Sequence, residues 1–152
     1  MNFKMKIPPV EWMTNAQTLA VMKALNDGTD EPQALFVGGC IRNLLLKKEV
    51  KDIDIATCLP PEQVMEKLQA AGIKTIPTSL KHGTVTAVAK DRVFEITTLR
   101  EDVETDGRHA EVEFTTDWIK DAERRDFTIN TLLADSEGNI YDPLEKGLED
   151  LN

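Results

Sequence analysis

Apolar residues along the chain follow two repeats, and each repeat predicts a different kind of element. A spacing of three to four residues, typical of a helix, runs from a cap at Thr14 to Gly28 and returns over 41–46, 60–72, 118–124 and 126–133. Short apolar or alternating runs, typical of strands, occur at 33–37, 52–57, 74–77, 83–90, 93–99 and 140–142. Residues 1–13 are interpreted as a loose lead-in, and the charge-rich segment 101–111 as a polar loop.

The order of these elements predicts one mixed α/β (α+β) domain, with a small mixed sheet and flanking helices. Residues 83–90 and 93–99 are expected to form a β-hairpin around Asp91-Arg92. The lead-in and first helix occupy 1–32, and the rest of the domain occupies 33–152. No internal repeat or linker interrupts the pattern.

The charge of the chain narrows the class of partner. A formal net charge of −9 argues against a broad nucleic-acid-binding surface. Most of the arginines nevertheless lie in or beside the motifs described below, and only Arg92 stands apart. Basic groups gathered in an otherwise acidic protein favour a small anionic substrate over an extended duplex.

Hydropathy and cysteine content bear on location. No run approaches the roughly 18 apolar residues that span a bilayer, and residues 1–6 lack the apolar centre of a signal peptide. We therefore expect no membrane partner. Cys40 and Cys58 have neither metal-ligand spacing nor nearby histidines, so reduced thiols in a cytoplasmic protein are expected.

The segment Asp52-Ile53-Asp54 carries the strongest chemical signal. In a strand, the two aspartates point to one face, while Ile53 and Ile55 point to the other and enter a core. Parallel carboxylates repel each other unless a cation lies between them. Mg²⁺ suits that place because it prefers oxygen ligands and is commonly shared with substrate phosphates. A solvated acidic pair at a strand end is the alternative.

The pair Gly38-Gly39, just upstream, allows backbone to approach phosphates closely, where a side chain would interfere. The chain has no Gly-Lys-Ser/Thr segment, which excludes a P-loop, and the pair lacks the glycine spacing of a dinucleotide fold. Glycine pair and aspartates together indicate metal-assisted nucleotidyl transfer.

Glu95 is a candidate third carboxylate. Its neighbours Phe94 and Ile96 are expected to face the core, which turns Glu95 towards the opposite face. On a strand adjacent to the aspartates, it would complete the metal site or accept a proton from an attacking hydroxyl. An ordinary exposed strand glutamate is the alternative.

A second polar cluster follows, in which Arg124-Arg125 precedes Asn130. Adjacent arginines on a helix point about 100° apart, so one would clamp a triphosphate while the other pairs with a carboxylate. Asn130 offers a donor and an acceptor for a ribose hydroxyl or a phosphate. The alternative is a surface charge run with Asp126 as a cap.

A mobile, charged loop is predicted beside the site, given its freedom by Gly107. Its polar members are Arg100, Asp102, Asp106, Arg108 and His109. A solvated extension of a hairpin explains these residues almost as well. His82 and His109 have no second ligand at metal spacing and are interpreted as structural or loop residues.

Six motifs between residues 35 and 151 occur in a characteristic order. They are Phe36-Val37-Gly38-Gly39 with Arg42, Asp52-Ile53-Asp54-Ile55-Ala56-Thr57, Lys81-His82-Gly83-Thr84, Glu95-Ile96-Thr97-Thr98-Leu99-Arg100, Thr105-Asp106-Gly107-Arg108-His109-Ala110, and Glu123-Arg124-Arg125-Asp126-Phe127-Thr128-Ile129-Asn130. This series resembles the catalytic head of class II tRNA nucleotidyltransferases (CCA-adding enzymes) and bacterial poly(A) polymerases. The resemblance implies a DNA polymerase β-like nucleotidyltransferase fold.

The resemblance also implies roles for particular residues. Asp52 and Asp54 would bind two Mg²⁺ ions, and Gly39, Arg42 and Arg125 would hold the triphosphate of ATP or CTP. Residues 100–109 would form the flexible loop that helps to switch from CTP to ATP. The reaction would be attack of a tRNA 3′-hydroxyl on the α-phosphorus, with release of pyrophosphate.

The chain departs from the family pattern at two places. Asn43 stands where the family usually has an aspartate. The chain also stops at Leu151-Asn152, where the family continues into a neck, body and tail that read the nucleobase and grip tRNA. An excised head is expected rather than a minimal protein, and an exposed face at that end would favour self-association. Poly(A) addition, and a Mg-nucleotide-binding module without transfer activity, stay open as alternatives.

Overall fold

The structure, a computed structural model, describes residues 2–50, 52–104, 107 and 110–151. Within these ranges the helices are α1 (Glu11–Thr14), α2 (Ala16–Asn26), α3 (Gly39–Leu45), α4 (Pro61–Ala70), α5 (Trp118–Glu123) and α6 (Gly147–Leu151). The strands are β1 (Met5–Lys6), β2 (Ala34–Val37), β3 (Ile53–Thr57), β4 (Lys74–Ser79), β5 (Thr84–Ala89), β6 (Arg92–Thr98), β7 (Arg100–Glu104), β8 (Ala110–Phe114), β9 (Leu133–Ala134) and β10 (Asn139–Tyr141). Short 3₁₀ turns cover Leu80–His82 and Thr128–Thr131.

The main sheet is mixed, as the order of elements predicted. Its strands are arranged β1-β10-β9-β2-β3-β6-β5-β4. β3 and β6 run parallel, whereas β2 with β3 and β5 with β6 are antiparallel pairs. β7 and β8 form a separate antiparallel hairpin. The centre of the sheet is therefore β2, β3 and β6, the strands that carry or precede the predicted site.

The hydrophobic core lies mainly on one face of this sheet. Helices α1 to α4 supply residues such as Met13, Leu25 and Leu68, which pack with Phe36 and Phe94 from the strands. Each such large side chain contributes about 1.5–3 kcal/mol through burial. A smaller cluster covers part of the opposite face, formed by Leu35, Val37, Ala56, Leu99, Leu133 and Tyr141. Strand β2 is thus covered on both faces, which explains its continuous apolar sequence.

Local signals explain most helix ends. Pro61 begins α4 at the position where proline is favoured, and Gly72 follows its end in a left-handed conformation. The predicted cap of the first long helix was wrong by one residue. Asn15 caps α2 by accepting a hydrogen bond from the Thr18 amide at 2.9 Å, whereas the Thr14 hydroxyl donates backwards to the Val10 carbonyl.

The predicted loose lead-in carries two short elements. β1 pairs with β10, with Met5 opposite Ile140, and α1 places Met13 in the core. Two residues are too few to display an alternating pattern, so only the distant partner strand reveals β1. No helix in the described ranges is long and apolar enough to cross a membrane.

The helix predicted over 126–133 was wrong. A 3₁₀ turn at Thr128–Thr131 leads directly into β9, which pairs with both β2 and β10. β-Branched Thr128, Ile129 and Thr131 disfavour helix, and sheet pairing takes the backbone groups of Leu133 that a helix would need.

The polar loop predicted over 101–111 was wrong at 101–104 and 110–111, which are strands. β7 and β8 pair from Arg100 opposite Phe114 to Glu104 opposite Ala110. Charged side chains hide the strand pattern because both faces of this hairpin are largely exposed.

Candidate active site

Three carboxylates lie at the open face of β3 and β6. Asp54 on β3 stands beside Glu95 on the parallel strand β6, and Asp52 immediately precedes β3. Their neighbours Ile53, Ile55, Phe94 and Ile96 are all buried in the main core, as predicted. Strand alternation therefore turns Asp54 and Glu95 away from that core.

The position of Asp54 concentrates negative charge. Partial burial raises the pKa of its carboxyl group, and the charges of Glu95 and Asp52 raise it further, while Arg125 opposes the shift. A cation at this point would offset the repulsion among the three carboxylates and the free-energy cost of burying the charge of Asp54. Asp52 and Asp54 provide the hard oxygen donors that Mg²⁺ prefers, and that ion characteristically takes its remaining ligands from water and phosphate.

Glu95 is held by a hydrogen bond of its own. The Thr86 hydroxyl donates to Glu95 Oε1 at 2.8 Å across strands β5 and β6. Thr86 itself contacts the Thr78 hydroxyl. Across the described ranges, no three His, Cys, Asp or Glu side chains are grouped closely enough to hold a metal ion by themselves. Glu95 is therefore next to Asp54 without forming a ready three-carboxylate cluster.

Gly38 and Gly39 form a turn, here called the glycine turn, beside Asp52 and Asp54. Gly38 has φ +78°, a conformation that other residues rarely adopt, and its carbonyl accepts the amides of Ile41 and Arg42 at the start of α3. At Gly39, a Cβ atom would lie 3.4 Å from Arg42 Nη2, in van der Waals contact with the guanidinium. A groove of about 360 Å³ results, lined by Gly39, Cys40, Arg42, Asn43, Glu49, Val50, Asp52 and Asp54.

Arg42 joins the glycine turn to the second polar cluster. Its Nη1 donates to Asn130 Oδ1 at 3.1 Å, and its Nε donates to Asn43 Oδ1 at 3.3 Å. Two motifs that are 88 residues apart in sequence therefore meet at one guanidinium. The amide Nδ2 of Asn43 also donates to the Glu49 carbonyl, which fixes this side of the groove.

Arg125 is anchored by a residue that sequence reasoning missed. Its Nε and Nη2 both donate to Asp121 Oδ2, at 3.1 and 3.0 Å, and the other oxygen of Asp121 accepts the Arg100 amide at 2.9 Å. Asp121 is buried, with 5% of its surface exposed. The four-residue spacing between Asp121 and Arg125 on a helical segment was the available signal.

The two adjacent arginines both lie near carboxylates, and which of them would clamp a triphosphate stays a prediction. Arg124 Nε lies 3.8 Å from Asp102 Oδ1, while Arg125 forms a closer pair in which two donors share Asp121 Oδ2. Burial lowers the pKa of Arg100, and the charge of Arg124 adds to the effect. Arg100, Arg124 and Arg125 are thus close enough to interact with one another.

The predicted flexible loop is only partly described. Arg100 and Asp102 lie on strand β7, whereas the predicted loop residues Asp106, Arg108 and His109 lie outside the described residues. The far strand of the hairpin, β8, ends with the Phe114 ring against Gly83. This contact places the Lys81-His82-Gly83-Thr84 motif next to strand β8 of the hairpin.

Comparison with known proteins supports one family. Residues 34–152 match a model of the Poly A polymerase head domain. Human mitochondrial CCA tRNA nucleotidyltransferase 1 is 55% identical over 117 residues, which are 76% of this chain and 27% of that protein.

Solved structures agree with the sequence matches. The Bacillus stearothermophilus CCA-adding enzyme in complex with CTP has a TM-score of 0.71 at 40% identity, over 89% of this chain and 31% of that one. A tRNA nucleotidyltransferase complexed with a primer tRNA and an incoming ATP analog has a TM-score of 0.58 at 29% identity, over 78% and 33%. The chain thus spans about a third or less of the length of each of these relatives.

Proposed function

The chain belongs to the Poly A polymerase head domain family, and from this premise we propose that it is the head of a CCA-adding nucleotidyltransferase. In this role it transfers CMP and AMP from CTP and ATP to the 3′-hydroxyl of tRNA. The observation that carries the proposal is the groove in which Asp52 and Asp54 face Arg42 and the glycine turn. Named relatives that add CCA to tRNA support the choice of substrate.

Asp52 and Asp54 are the proposed ligands of two Mg²⁺ ions. Their oxygen donors and the charge gathered around Asp54 fit a hard divalent cation. When bound, Mg²⁺ lowers the pKa of the attacking hydroxyl and neutralises charge on the leaving phosphates.

The triphosphate is proposed to lie against the glycine turn. Gly38 and Gly39 leave room for phosphate oxygens beside the backbone, and Arg42 supplies a guanidinium held in place by Asn130. Arg125 adds a second positive charge, which is close enough to Asp54 to lower the pKa of that carboxyl group. Planar guanidinium groups match phosphate oxygens in geometry as well as in charge.

The transfer step makes one bond and breaks one. The 3′-hydroxyl oxygen of the primer bonds to the α-phosphorus, the bond from that phosphorus to the bridging oxygen breaks, and pyrophosphate leaves. Glu95 stands beside Asp54 with Oε1 engaged by Thr86. Its Oε2 is the proposed acceptor of the hydroxyl proton or, alternatively, a further metal ligand.

Arg100 and Asp102, on strand β7, are proposed to take part in the choice between CTP and ATP. The same role expected of Asp106, Arg108 and His109 concerns residues outside the described ranges.

A cytoplasmic location is proposed, which the free thiols of Cys40 and Cys58 fit. The name of the human relative, by contrast, includes a mitochondrial location. Fluorescence microscopy of a tagged chain in its own cells shows whether it is located in the cytoplasm or in mitochondria.

Poly(A) addition is the second candidate, because the family that matches residues 34–152 is described as a poly A polymerase head. The two candidates differ in the nucleotide that they accept. A CCA-adding head uses CTP on a tRNA that lacks its last three nucleotides, whereas a poly(A) polymerase uses ATP alone.

The deciding experiment is extension of tRNA lacking CCA by the purified chain, with Mg²⁺ and labelled CTP or ATP. We expect labelled CMP to be added, and the paired substitution Asp52→Ala/Asp54→Ala to abolish the addition. Extension with ATP alone supports the second candidate. Absence of extension, with CTP binding that depends on both aspartates, identifies a nucleotide-binding module instead. CTP binding that is unchanged by the Asp52→Ala/Asp54→Ala substitution overturns the proposed site.

A further inference from the structure

A buried carboxylate outside the metal site connects two segments that approach the nucleotide groove. Asp121, on helix α5, uses one oxygen for the Arg125 guanidinium and the other for the backbone amide of Arg100. Arg100 is the first residue of β7 and therefore the base of the β7–β8 hairpin. One side chain thus contacts both the arginine beside Asp54 and the base of the hairpin.

The contact with Arg125 restricts an otherwise flexible side chain. Nε and Nη2 donate together to Asp121 Oδ2, which sets the orientation of the guanidinium and leaves Nη1 for other partners. Arg125 lies between α5 and the 3₁₀ turn that carries Asn130, the hydrogen-bond partner of Arg42 in the groove. The direction in which Asp121 holds Arg125 therefore determines how this guanidinium is presented beside the groove.

The arginines around Asp121 are close enough to repel one another. Burial lowers the pKa of the Arg100 guanidinium, and the positive charges of Arg124 and Arg125 lower it further. The outer contacts between α5 and β7, Arg124 to Asp102 and Lys120 to Glu101, are both 3.8 Å long and partly exposed. Exposed pairs of this kind contribute little. The buried Asp121 is the short, desolvated contact between α5 and β7 among the described residues.

We propose that Asp121 is a positioning residue that aims the Arg125 guanidinium at the bound triphosphate and ties that arginine to the base of the β7–β8 hairpin. This inference rests on the proposed nucleotide site. Asp121 acts through Arg125 and does not touch the substrate. Its removal should weaken nucleotide binding only as far as Arg125 contributes to that binding.

The test is a double-mutant cycle read by the Kd for CTP in the presence of Mg²⁺. Asp121→Asn keeps an oxygen for the Arg100 amide but replaces the ion pair with a neutral amide. Arg125→Lys keeps the charge but loses the paired guanidinium donors that Asp121 Oδ2 accepts. We expect each single substitution to raise the Kd by about tenfold, and the double variant to show about the same tenfold rise.

Asp117→Ala is the matched control. Asp117 caps the same helix, accepting the amides of Ile119 and Lys120, and has no contact with Arg125. We expect Asp117→Ala to lower the stability of α5 while keeping both members of the Asp121–Arg125 pair, and its Kd for CTP to match that of the wild type in the folded protein. Circular dichroism melting of all variants confirms that each binding measurement is made on folded protein.

The outcomes separate this inference from the proposed function. Wild-type protein that does not bind CTP overturns the proposed nucleotide site. Wild-type binding with an unchanged Kd in Asp121→Asn overturns the positioning role alone. Independent effects, giving a double variant weakened by about a hundredfold, or an Asp117→Ala variant as weak as Asp121→Asn, also contradict it.

Discussion

Arg42 and Asn130 are joined by a hydrogen bond of 3.1 Å, although 88 residues separate them in sequence. Arg42 follows the glycine turn on α3, and Asn130 lies on the 3₁₀ turn between α5 and β9. The bond fixes one edge of the guanidinium and so pre-orients it towards the groove. Pre-orientation reduces the side-chain entropy lost when a phosphate binds.

Loss of the Arg42 partner should therefore weaken nucleotide binding without unfolding the protein. We expect Asn130→Ala to raise the Kd for CTP by about fivefold, as the removal of one charged hydrogen bond implies. Thr131→Val is the control, because the Thr131 hydroxyl donates to the Thr128 carbonyl on the same turn. Calorimetric titration with CTP and Mg²⁺ measures both. Equal affinities in Asn130→Ala and wild type would show that Arg42 is oriented without this amide.

The raised pKa of Asp54 makes stability depend on pH in a definite direction. Because the folded protein holds this proton more readily than the unfolded chain, ionised Asp54 lowers stability above its folded pKa, and the cost disappears below about pH 3.9. We expect Asp54→Asn to raise Tm by a few degrees at pH 7 without metal, and the gain to vanish near pH 4.

Thermal melts in EDTA between pH 4 and 8 test this expectation. Asp91→Asn, at an exposed hairpin turn, is the control for removing one negative charge. A Tm gain for Asp54→Asn that is the same at pH 4 as at pH 7 would contradict the electrostatic explanation.

Gly83 supports the hairpin through a contact that excludes a side chain. A Cβ atom at this position would lie 2.7 Å from the Phe114 ring, and the residue has φ +78°. We expect Gly83→Ala to cost about 2–4 kcal/mol, combining left-handed backbone strain with overpacking. Gly72→Ala is a close control, since Gly72 has φ +77° and nothing within 4 Å. Chemical denaturation should show the smaller, strain-only loss of about 1–2 kcal/mol there. Similar losses in both variants would rule out the clash with Phe114.

The hydrogen bond from Thr86 to Glu95 predicts a separation of rate from binding. We expect Thr86→Val to lower the single-turnover rate of CMP addition by about three- to tenfold, with the Kd for CTP unchanged, because the proposed role of Glu95 is to accept the proton of the primer hydroxyl. Thr84→Val removes a threonine hydroxyl from the same strand without contact to Glu95. Single-turnover extension measures the rate. A raised Kd with an unchanged rate would instead assign Glu95 to nucleotide binding.

The two thiols should differ in reactivity. Burial raises the pKa of Cys40 to about 11, and Cys40 is almost fully buried, whereas Cys58 is partly exposed. At pH 8 roughly one Cys40 in a thousand is a thiolate, so we expect Ellman's reagent to modify Cys58 alone in the native protein. Modification of Cys40 should require denaturant. Rapid reaction of two thiols in native buffer would contradict the buried position of Cys40.

Local sequence alone predicted the face to which each residue of the central strands points. The alternation of Asp54 with Ile53 and Ile55, and of Glu95 with Phe94 and Ile96, has the same period as the strand itself. The glycine turn before α3 was equally predictable, because few residues other than glycine adopt the backbone that Gly38 requires. Motif order then identified the family, which residues 34–152 confirm.

Weak local signals led to the errors. The hairpin β7–β8 was interpreted as a loop because its charged residues resemble those of a solvated segment. The 3₁₀ turn at Thr128–Thr131 was interpreted as part of a helix because its apolar spacing suits either structure. In both segments, pairing with other strands determines the backbone conformation. β7 pairs with β8, and β9 pairs with β2 and β10.

Only the tertiary structure decided which polar groups meet around the groove. Sequence determined the strand period, the glycine turn and the residue types, because these depend on neighbours a few positions away. Packing of the whole sheet placed Asn130 on Arg42, Asp121 between Arg100 and Arg125, and Thr86 on Glu95. Such pairs depend on strand register and helix position, which distant segments determine jointly when the core closes.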